Sequence, residues 1–407
     1  MTDAALDIRE LLGAQAINAL RKPIEQACGL PGAAYTSEAF FKAEQKQLFA
    51  RTWMCLAFAS DVAAPGDAIP VMAAGVPLIL ARDQKGQIRV FHNVCRHRAA
   101  MMVTEPCRNL KQFSCPYHAW AYDLDGRLKS TPYFDGTPGG NNRTSLDLAE
   151  LGLVPVRTAV WHHWIFINLD GEAEPFEEHV RPLDELINGA DLSATRMAHR
   201  EDWEWRGNWK MQNDNWETYH HVWVHGNIFT KMSDDLDLAT GQPIAEPIPL
   251  GTVVTLKRRG DQDFYPSAGD LPLIPFPDGK KRVRCTSVVF PNMTLTLQSD
   301  HLASVIADPV AVDRTVSKMG FFFVGDAATD PAYAPQRKKT LARWLGETGV
   351  MRDYGGIRSQ DMQVWEQQQI ARQSPVADRV VFSPVWEKNV HHFQNMLVDV
   401  MLGDKAS

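Results

Sequence analysis

Residues 93–120 read NVCRHRAAMMVTEPCRNLKQFSCPYHAW and hold three of the chain's six cysteines and two of its thirteen histidines. Cys95-x-His97 is followed, after seventeen intervening residues, by Cys115-x-x-His118. Each pair offers one soft thiolate and one borderline imidazole. A disulfide between Cys95 and Cys115 would leave both histidines without a purpose, and a reducing compartment would open it. Zinc can take two Cys and two His, but its usual order sets Cys beside Cys and His beside His. Mixed pairs suit a [2Fe–2S] cluster in which two thiolates hold one iron and two imidazoles the other, so that each loop reaches both irons.

The spacing C-x-H-x17-C-x2-H is the Rieske pattern, with Pro116 stiffening the second loop. Exchanging two thiolates for neutral imidazoles lowers the negative charge on such a cluster and raises its potential to roughly −150 to +300 mV. Cys107 lies between the pairs but has no His three residues on, so it is left out of the ligand set. Cys28, Cys55 and Cys285 stand far from any His or Cys and read as buried structural thiols.

A chain of 407 residues with 44% apolar content can bury a large core, and two domains are expected. A net charge of −7 with both signs interspersed gives no footprint for nucleic acid. The opening MTDAALDIRELLG is acidic with no apolar stretch behind it, and no run of eighteen apolar residues occurs. The expected location is the cytoplasm, with no membrane association.

The expected fold class is α+β: an all-β module over residues 51–170, preceded by a leader and helix over 1–50, then a catalytic domain over 171–407. TSEAFFKAEQKQLFARTW reads as a helix with Thr36 or Ser37 as its cap. VPLILARDQKGQIRVF, DLDGRL and VRTAVWHHWIFINLD are short apolar or alternating runs broken by Gly, Asn and Asp, as in hairpins. DGEAEPFEEHVRPLDEL reads as a polar helical connection. VVTLKRR, VRCTSVVF, MTLTLQSDH, LASVIADPV and SKMGFFFV look like strands of one antiparallel sheet. Three later stretches look helical: AYAPQRKKTLARWLGE, RSQDMQVWEQQQIAR and EKNVHHFQNMLVDVML. In the last, Val390, Phe393, Leu397 and Val400 or Met401 recur at three-to-four spacing and mark a helix laid on the sheet.

A redox cluster alone moves one electron and makes no product. Residues 208–226, NWKMQNDNWETYHHVWVHG, crowd Glu217, His220, His221 and His225 among Trp209, Trp216, Tyr219 and Trp223. His221 and His225 share a helix face as in a zincin, but Val222 follows His221 where such a protease needs Glu. His220 and His225 stand five apart, about 140° around an ideal helix, so joint ligation needs a bend. Spacing alone does not choose between His220 and His221.

The Rieske pattern followed by N-x6-H-x4-H resembles the catalytic α subunits of Rieske non-haem iron oxygenases over nearly the whole chain. The resemblance implies a helix-grip catalytic domain and a mononuclear Fe(II) held by His220, His225 and Asp361, with Asp353 as the runner-up carboxylate. Such a two-His, one-carboxylate set leaves positions open for O2. It also implies that Glu217 carries electrons from a Rieske imidazole toward His220 across a subunit boundary of a homotrimer, with Asn213 and Tyr219 in support. NAD(P)H would enter through a separate flavin and iron–sulfur reductase, since no G-x-G-x-x-G is present.

Most ring-hydroxylating members resembled here have Asp where this chain has Glu217. Glu resembles the subgroup acting on carnitine, choline and betaines, which oxidise a C–H bond beside a quaternary nitrogen. Trp203, Trp205, Trp209, Trp216 and Trp223 are then candidates for an aromatic box around a cationic head, although core packing is the commoner use of such residues. Aromatic hydroxylation or cis-dihydroxylation is the alternative. An electron carrier, or a zinc-stabilised binding protein with a dead second site, is the reading from outside the enzyme class.

Overall fold

Asp83 shows how local chemistry sets the hairpins of the β module. Its carboxylate accepts the backbone N–H groups of Lys85 and Gln87 at 2.8 and 2.9 Å, and Gly86 supplies the positive φ that the turn requires. In the computed structural model, which describes residues 7–136, 147–215, 217, 221, 224, 245–259, 270–345 and 357–403, this turn joins two strands of a three-stranded sheet.

The chain divides into two compact units, one of Phe49–Ala173 and the other of Met1–Leu48 with Glu174–Ser407. Among its described residues the first unit holds nine strands: β1 (Met54–Phe58), β2 (Ala68–Ala73), β3 (Val76–Arg82), β4 (Ile88–His92), β5 (Phe113–Ser114), β6 (Ala121–Tyr122), β7 (Leu128–Ser130), β8 (Arg157–Trp161) and β9 (Trp164–Asn168). They form three small antiparallel sheets, ordered β1-β9-β8, β2-β3-β4 and β5-β6-β7. Each expected hairpin run becomes one of these pairs.

Among the described residues of the second unit, seven strands make one antiparallel sheet, β10-β16-β15-β14-β13-β12-β11. These are β10 (Thr195–Trp205), β11 (Ala245–Leu250), β12 (Val253–Arg258), β13 (Cys285–Val289), β14 (Met293–Leu297), β15 (His301–Ala311) and β16 (Arg314–Val324). All five strands expected from the apolar runs are present. The two not expected are the edges. β10, TRMAHREDWEW, is rich in charge and mostly half-exposed. β11, AEPIPL, carries Pro247 and Pro249, two residues apart and so on one side of the ladder, where an edge strand needs no donors.

Six helices matter to the site: α1 (Glu38–Glu44), α2 (Phe176–Ile187), α3 (Lys210–Asp214), α4 (Ala334–Leu345), α5 (Ile357–Ala371) and α6 (Lys388–Leu402). Ser37 caps α1, accepting from Phe40 N–H at 3.3 Å, which decides between the two candidate caps. The segment up to Leu48, read from sequence as a leader and helix, belongs with the second unit. Glu44 of α1 ties it there, pairing with Lys210 of α3. α6 buries Val390, Phe393, Met396, Leu397 and Met401, so Met401 rather than half-buried Val400 completes its apolar stripe. It is held on the sheet by Asn389 Nδ2 donating to Thr255 O at 2.9 Å.

Cys55 and Cys285 are buried as expected, and burial pushes the Cys285 thiol up to about 11. Cys28 is instead half-buried, in an isolated bridge to Val381, whose own exposure leaves the thiol partly uncovered. No helix among the described residues is long and apolar enough to cross a membrane.

Candidate functional site

The two loops that carry Cys95, His97, Cys115 and His118 repeat one backbone design. Cys95 N–H donates to Ala100 O, and Ala99 N–H donates back to Cys95 O, at 2.8 and 3.0 Å. Cys115 N–H donates to Trp120 O, and Ala119 N–H to Cys115 O, at the same two distances. Ala99 and Ala119 both take the left-handed conformation, at φ 57° and 56°. A non-glycine residue held there costs on the order of 1 kcal/mol. Two alanines sharing that cost mark a geometry imposed by what the loops present.

What they present is sorted by element. The Cys95 and Cys115 side chains are both buried, and burial followed by the neighbouring Cys95 raises the Cys115 thiol. The His97 and His118 rings lie together, 4.6 Å between centroids. Sulfur donors on one side and nitrogen donors on the other are the division a [2Fe–2S] cluster with S2 and N2 ligation needs. His97 lies flat on Trp120, 4.8 Å away at 7°, with Phe134 edge-on. Its Nδ1 is buried with no hydrogen-bond partner, a costly state unless the lone pair binds a metal. Burial, then His118 and Arg98, hold this imidazole below its ordinary range, which keeps it neutral. His118 is exposed. Beneath the loops, Phe113, Trp120, Tyr122 and Leu124 form a core. The Tyr122 hydroxyl lies 3.4 Å from Cys95 Sγ and accepts from Arg96 N–H at 3.0 Å. Cys107 serves elsewhere, its backbone bridging to Ala68.

The second site starts from a buried ion pair. Lys210 Nζ meets Glu44 Oε1 at 2.7 Å with both side chains fully buried, and Lys210 also lies over the Tyr35, Phe40 and Trp209 rings. One turn on, Asp214 accepts from the Tyr35 hydroxyl at 2.5 Å and from Gln394 Nε2 at 3.0 Å. Burial raises the Asp214 carboxyl above its ordinary range despite these donors. Asn213 donates to Pro291 O at 2.8 Å, while its buried Oδ1 has no partner. These contacts pin α3, and the chain leaves it toward Glu217.

Glu217 Oε1 and His221 Nδ1 are 2.6 Å apart. On the other side of the same ring, Nε2 faces Asp361 Oδ1 at 3.8 Å. Asp361 is buried on α5, 8% exposed. Of the residues singled out from sequence, the fold therefore brings Glu217 and Asp361 to one imidazole, that of His221, and anchors Asn213 nearby. His220, His225, Tyr219, Trp216, Trp223 and Asp353 lie outside the described residues. Among the described residues no three of His, Cys, Asp and Glu gather around a single ion; only Asp361 of the expected iron ligands is among them.

Two further residues meet Glu217 that the expected ligand set does not include. His221 was set aside in favour of its neighbour, although its i+4 spacing from Glu217 suits a side-chain pair on a helical turn. Glu387, whose carboxyl is pushed up by burial and then by Glu217, had no motif to announce it. Of the tryptophans offered for an aromatic box, Trp205 and Trp209 are fully buried. Trp205 donates to Ser317 Oγ at 3.0 Å, against Trp365, and Trp209 packs on Phe393. The Trp203 ring is already covered by the Arg358 guanidinium at 4.9 Å.

Residues 52–141 match the Rieske [2Fe-2S] domain, and residues 192–403, just over half of the chain, match the catalytic domain of the ring-hydroxylating alpha subunit. Among similar proteins, the glycine betaine monooxygenase oxygenase subunit of Chromohalobacter salexigens is 28% identical over 59% of this chain and 52% of its own length. The large oxygenase component of salicylate 5-hydroxylase from a Ralstonia species is 33% identical over 49% of this chain and 51% of its own. The matched stretches thus span about half the length of these relatives. In three dimensions, the quaternary ammonium Rieske monooxygenase CntA with L-carnitine superposes with a TM-score of 0.71, covering 92% of this chain and 96% of that one at 21% identity. Naphthalene 1,2-dioxygenase from Rhodococcus gives 0.75, with 98% and 99% covered at 19% identity. The fold is the same in both.

Proposed function

We propose, since this chain belongs to the family of ring-hydroxylating oxygenase α subunits that carry a Rieske [2Fe–2S] domain, that it is the oxygenase component of a multicomponent system using O2 and NAD(P)H-derived electrons. The observation that carries this reading is the pairing of two donor sets in one chain: the sorted Cys2His2 cradle, and Asp361 brought to the Glu217–His221 pair. Cys95, His97, Cys115 and His118 would hold the cluster, and His220, His225 and Asp361 a mononuclear ferrous ion. When bound, these groups supply single electrons and a place for O2 reduction.

The chain's own residues have definite tasks. Tyr122 offers its hydroxyl to Cys95, which moderates the charge on that sulfur. Trp120 fixes the His97 ring plane. Glu217 accepts the N–H of His221 and orients its ring toward Asp361, while the Asn213–Pro291 and Asp214–Tyr35 bonds hold the start of this segment. Tyr219 belongs in the same supporting shell. A homotrimer would bring Glu217 toward a neighbouring subunit's cluster, and a separate reductase would deliver the electrons from NAD(P)H in the cytoplasm.

For substrate, the reading is monooxygenation or N-demethylation of a quaternary-ammonium, betaine-like compound. Glu217 and the glycine betaine relative support it. Hydroxylation of an aromatic acid is the second reading, favoured by the salicylate relative. Turnover with NADH and a class-matched reductase, over betaines, carnitine and salicylate, separates them: N-demethylation releases formaldehyde and ring hydroxylation none. Holoprotein with about three irons and two acid-labile sulfides per chain is expected, and a zinc-loaded protein that consumes no O2 would end the reading.

A further inference from the structure

β10 and the turn that follows it hold α5 in a row of contacts. The Arg358 guanidinium pairs with the Glu201 carboxylate and lies over the Trp203 ring, 4.9 Å from its centroid. Trp365 packs on Trp205 with 5.0 Å between ring centroids. Glu366 Oε1 accepts from Arg206 N–H, and Gln369 Oε1 from Asn208 N–H, each at 3.0 Å. The order along the strand is the order along the helix: 201 with 358, 205 with 365, 206 with 366 and 208 with 369. Glu201, Trp203 and Trp205 alternate as one face of a strand requires, and Arg358, Trp365 and Gln369 fall on one face of the helix.

Asp361 belongs to that helix face, three residues after Arg358 and four before Trp365. Its buried carboxylate faces His221 Nε2 at 3.8 Å. From Asn208 the chain enters α3, which leads toward Glu217 and its partner His221. The carboxylate and the imidazole therefore take their positions from the same stretch of chain. Turning α5 by one residue, about 100° around its axis, would carry Asp361 off this face.

We propose that Glu201 and Arg358 are positioning residues for Asp361. Their ion pair, laid on Trp203, sets the rotation of the first turn of α5 so that the carboxylate is presented to the His221 side of the site. The pair acts through Asp361, and the consequence rests on the oxygenase reading, in which Asp361 is an iron ligand. Burial alone would raise the Glu201 carboxyl, but Arg358 and then His199, whose Nε2 lies 3.3 Å from Glu201 Oε2, hold it below its ordinary range. Trp203 thereby gains a task as the platform for Arg358.

The test uses holoprotein, with cluster absorbance followed beside the mononuclear iron. R358M should lower affinity for that ferrous ion about tenfold, read by competition with a ferrous chelator. It should also change the rhombicity of the electron paramagnetic resonance signal of the nitric oxide adduct, while the visible spectrum of the cluster stays put. R358K, which keeps the ion pair, should recover most of the affinity, and E201Q should repeat the R358M result. Wild-type affinity and an unchanged nitric oxide signal in R358M overturn the proposal, since a pair that merely adds stability would move neither. If R358M does not fold, the same two readings on E201Q decide. A wild-type protein with a full cluster and no mononuclear iron refutes the oxygenase reading instead. Amide hydrogen exchange on α5 then decides the positioning: faster exchange around Asp361 in R358M with Gln369 unchanged supports it, and equal exchange at both refutes it.

Discussion

The cradle of the β module and the acid–imidazole site of the second unit are built in opposite ways. All four cradle donors come from two loops within 24 residues, and each loop closes on itself through the same pair of backbone hydrogen bonds. The second site draws on α1, α3, α5 and the turn before α6, with Glu44 and Glu387 separated by most of the chain. A local device can be read off spacing and survives modest change around it. A site assembled from distant elements depends on every buried contact that holds those elements together.

The sharpest way to break the comparison is at the cradle itself. C95S or C115S should abolish the visible cluster spectrum and acid-labile sulfide, while melting of the second unit, followed by its tryptophans, stays put. Next is D361N, which should leave cluster absorbance intact, remove the third iron, and lower product formation about 100-fold; loss of the cluster colour in D361N would show that the two sites are not separately built. K210M tests the tertiary dependence. Leaving Glu44 buried without its partner should cost roughly 3–5 kcal/mol by denaturant unfolding, and K210M/E44L should regain most of it; a K210M cost under about 1 kcal/mol would mean the pair does not anchor α3. The smallest effect belongs to Y122F. Removing one hydroxyl from Cys95 should lower the cluster potential by on the order of 40 mV, the equivalent of one net hydrogen bond, as read by redox titration.

The seven-stranded sheet was largely legible. Apolar runs such as SKMGFFFV announce strands buried on both faces, and β12 to β16 follow them. Its edges were not, because β10 is charged and β11 contains two prolines, and edge strands are free to be both. At the site, Asp361 could be picked out only through family resemblance, since an Asp on a polar helix has no periodic signature. Of the tryptophans, Trp205 and Trp209 serve packing, the commoner use expected for them, and Trp203 meets Arg358.

By itself, the order of residues settled the donor chemistry of the cradle and the strand content of the sheet, because ligand spacing and hydrophobic period act within one loop or one strand. Only tertiary structure decided that the first 48 residues belong with the second unit, that the Glu217 segment meets His221 and Asp361, and that Glu387 joins it. Apart from the four-residue Glu217–His221 pair, those contacts link positions more than a hundred residues apart, and buried charge finds its partner by burial and geometry, which no local pattern records.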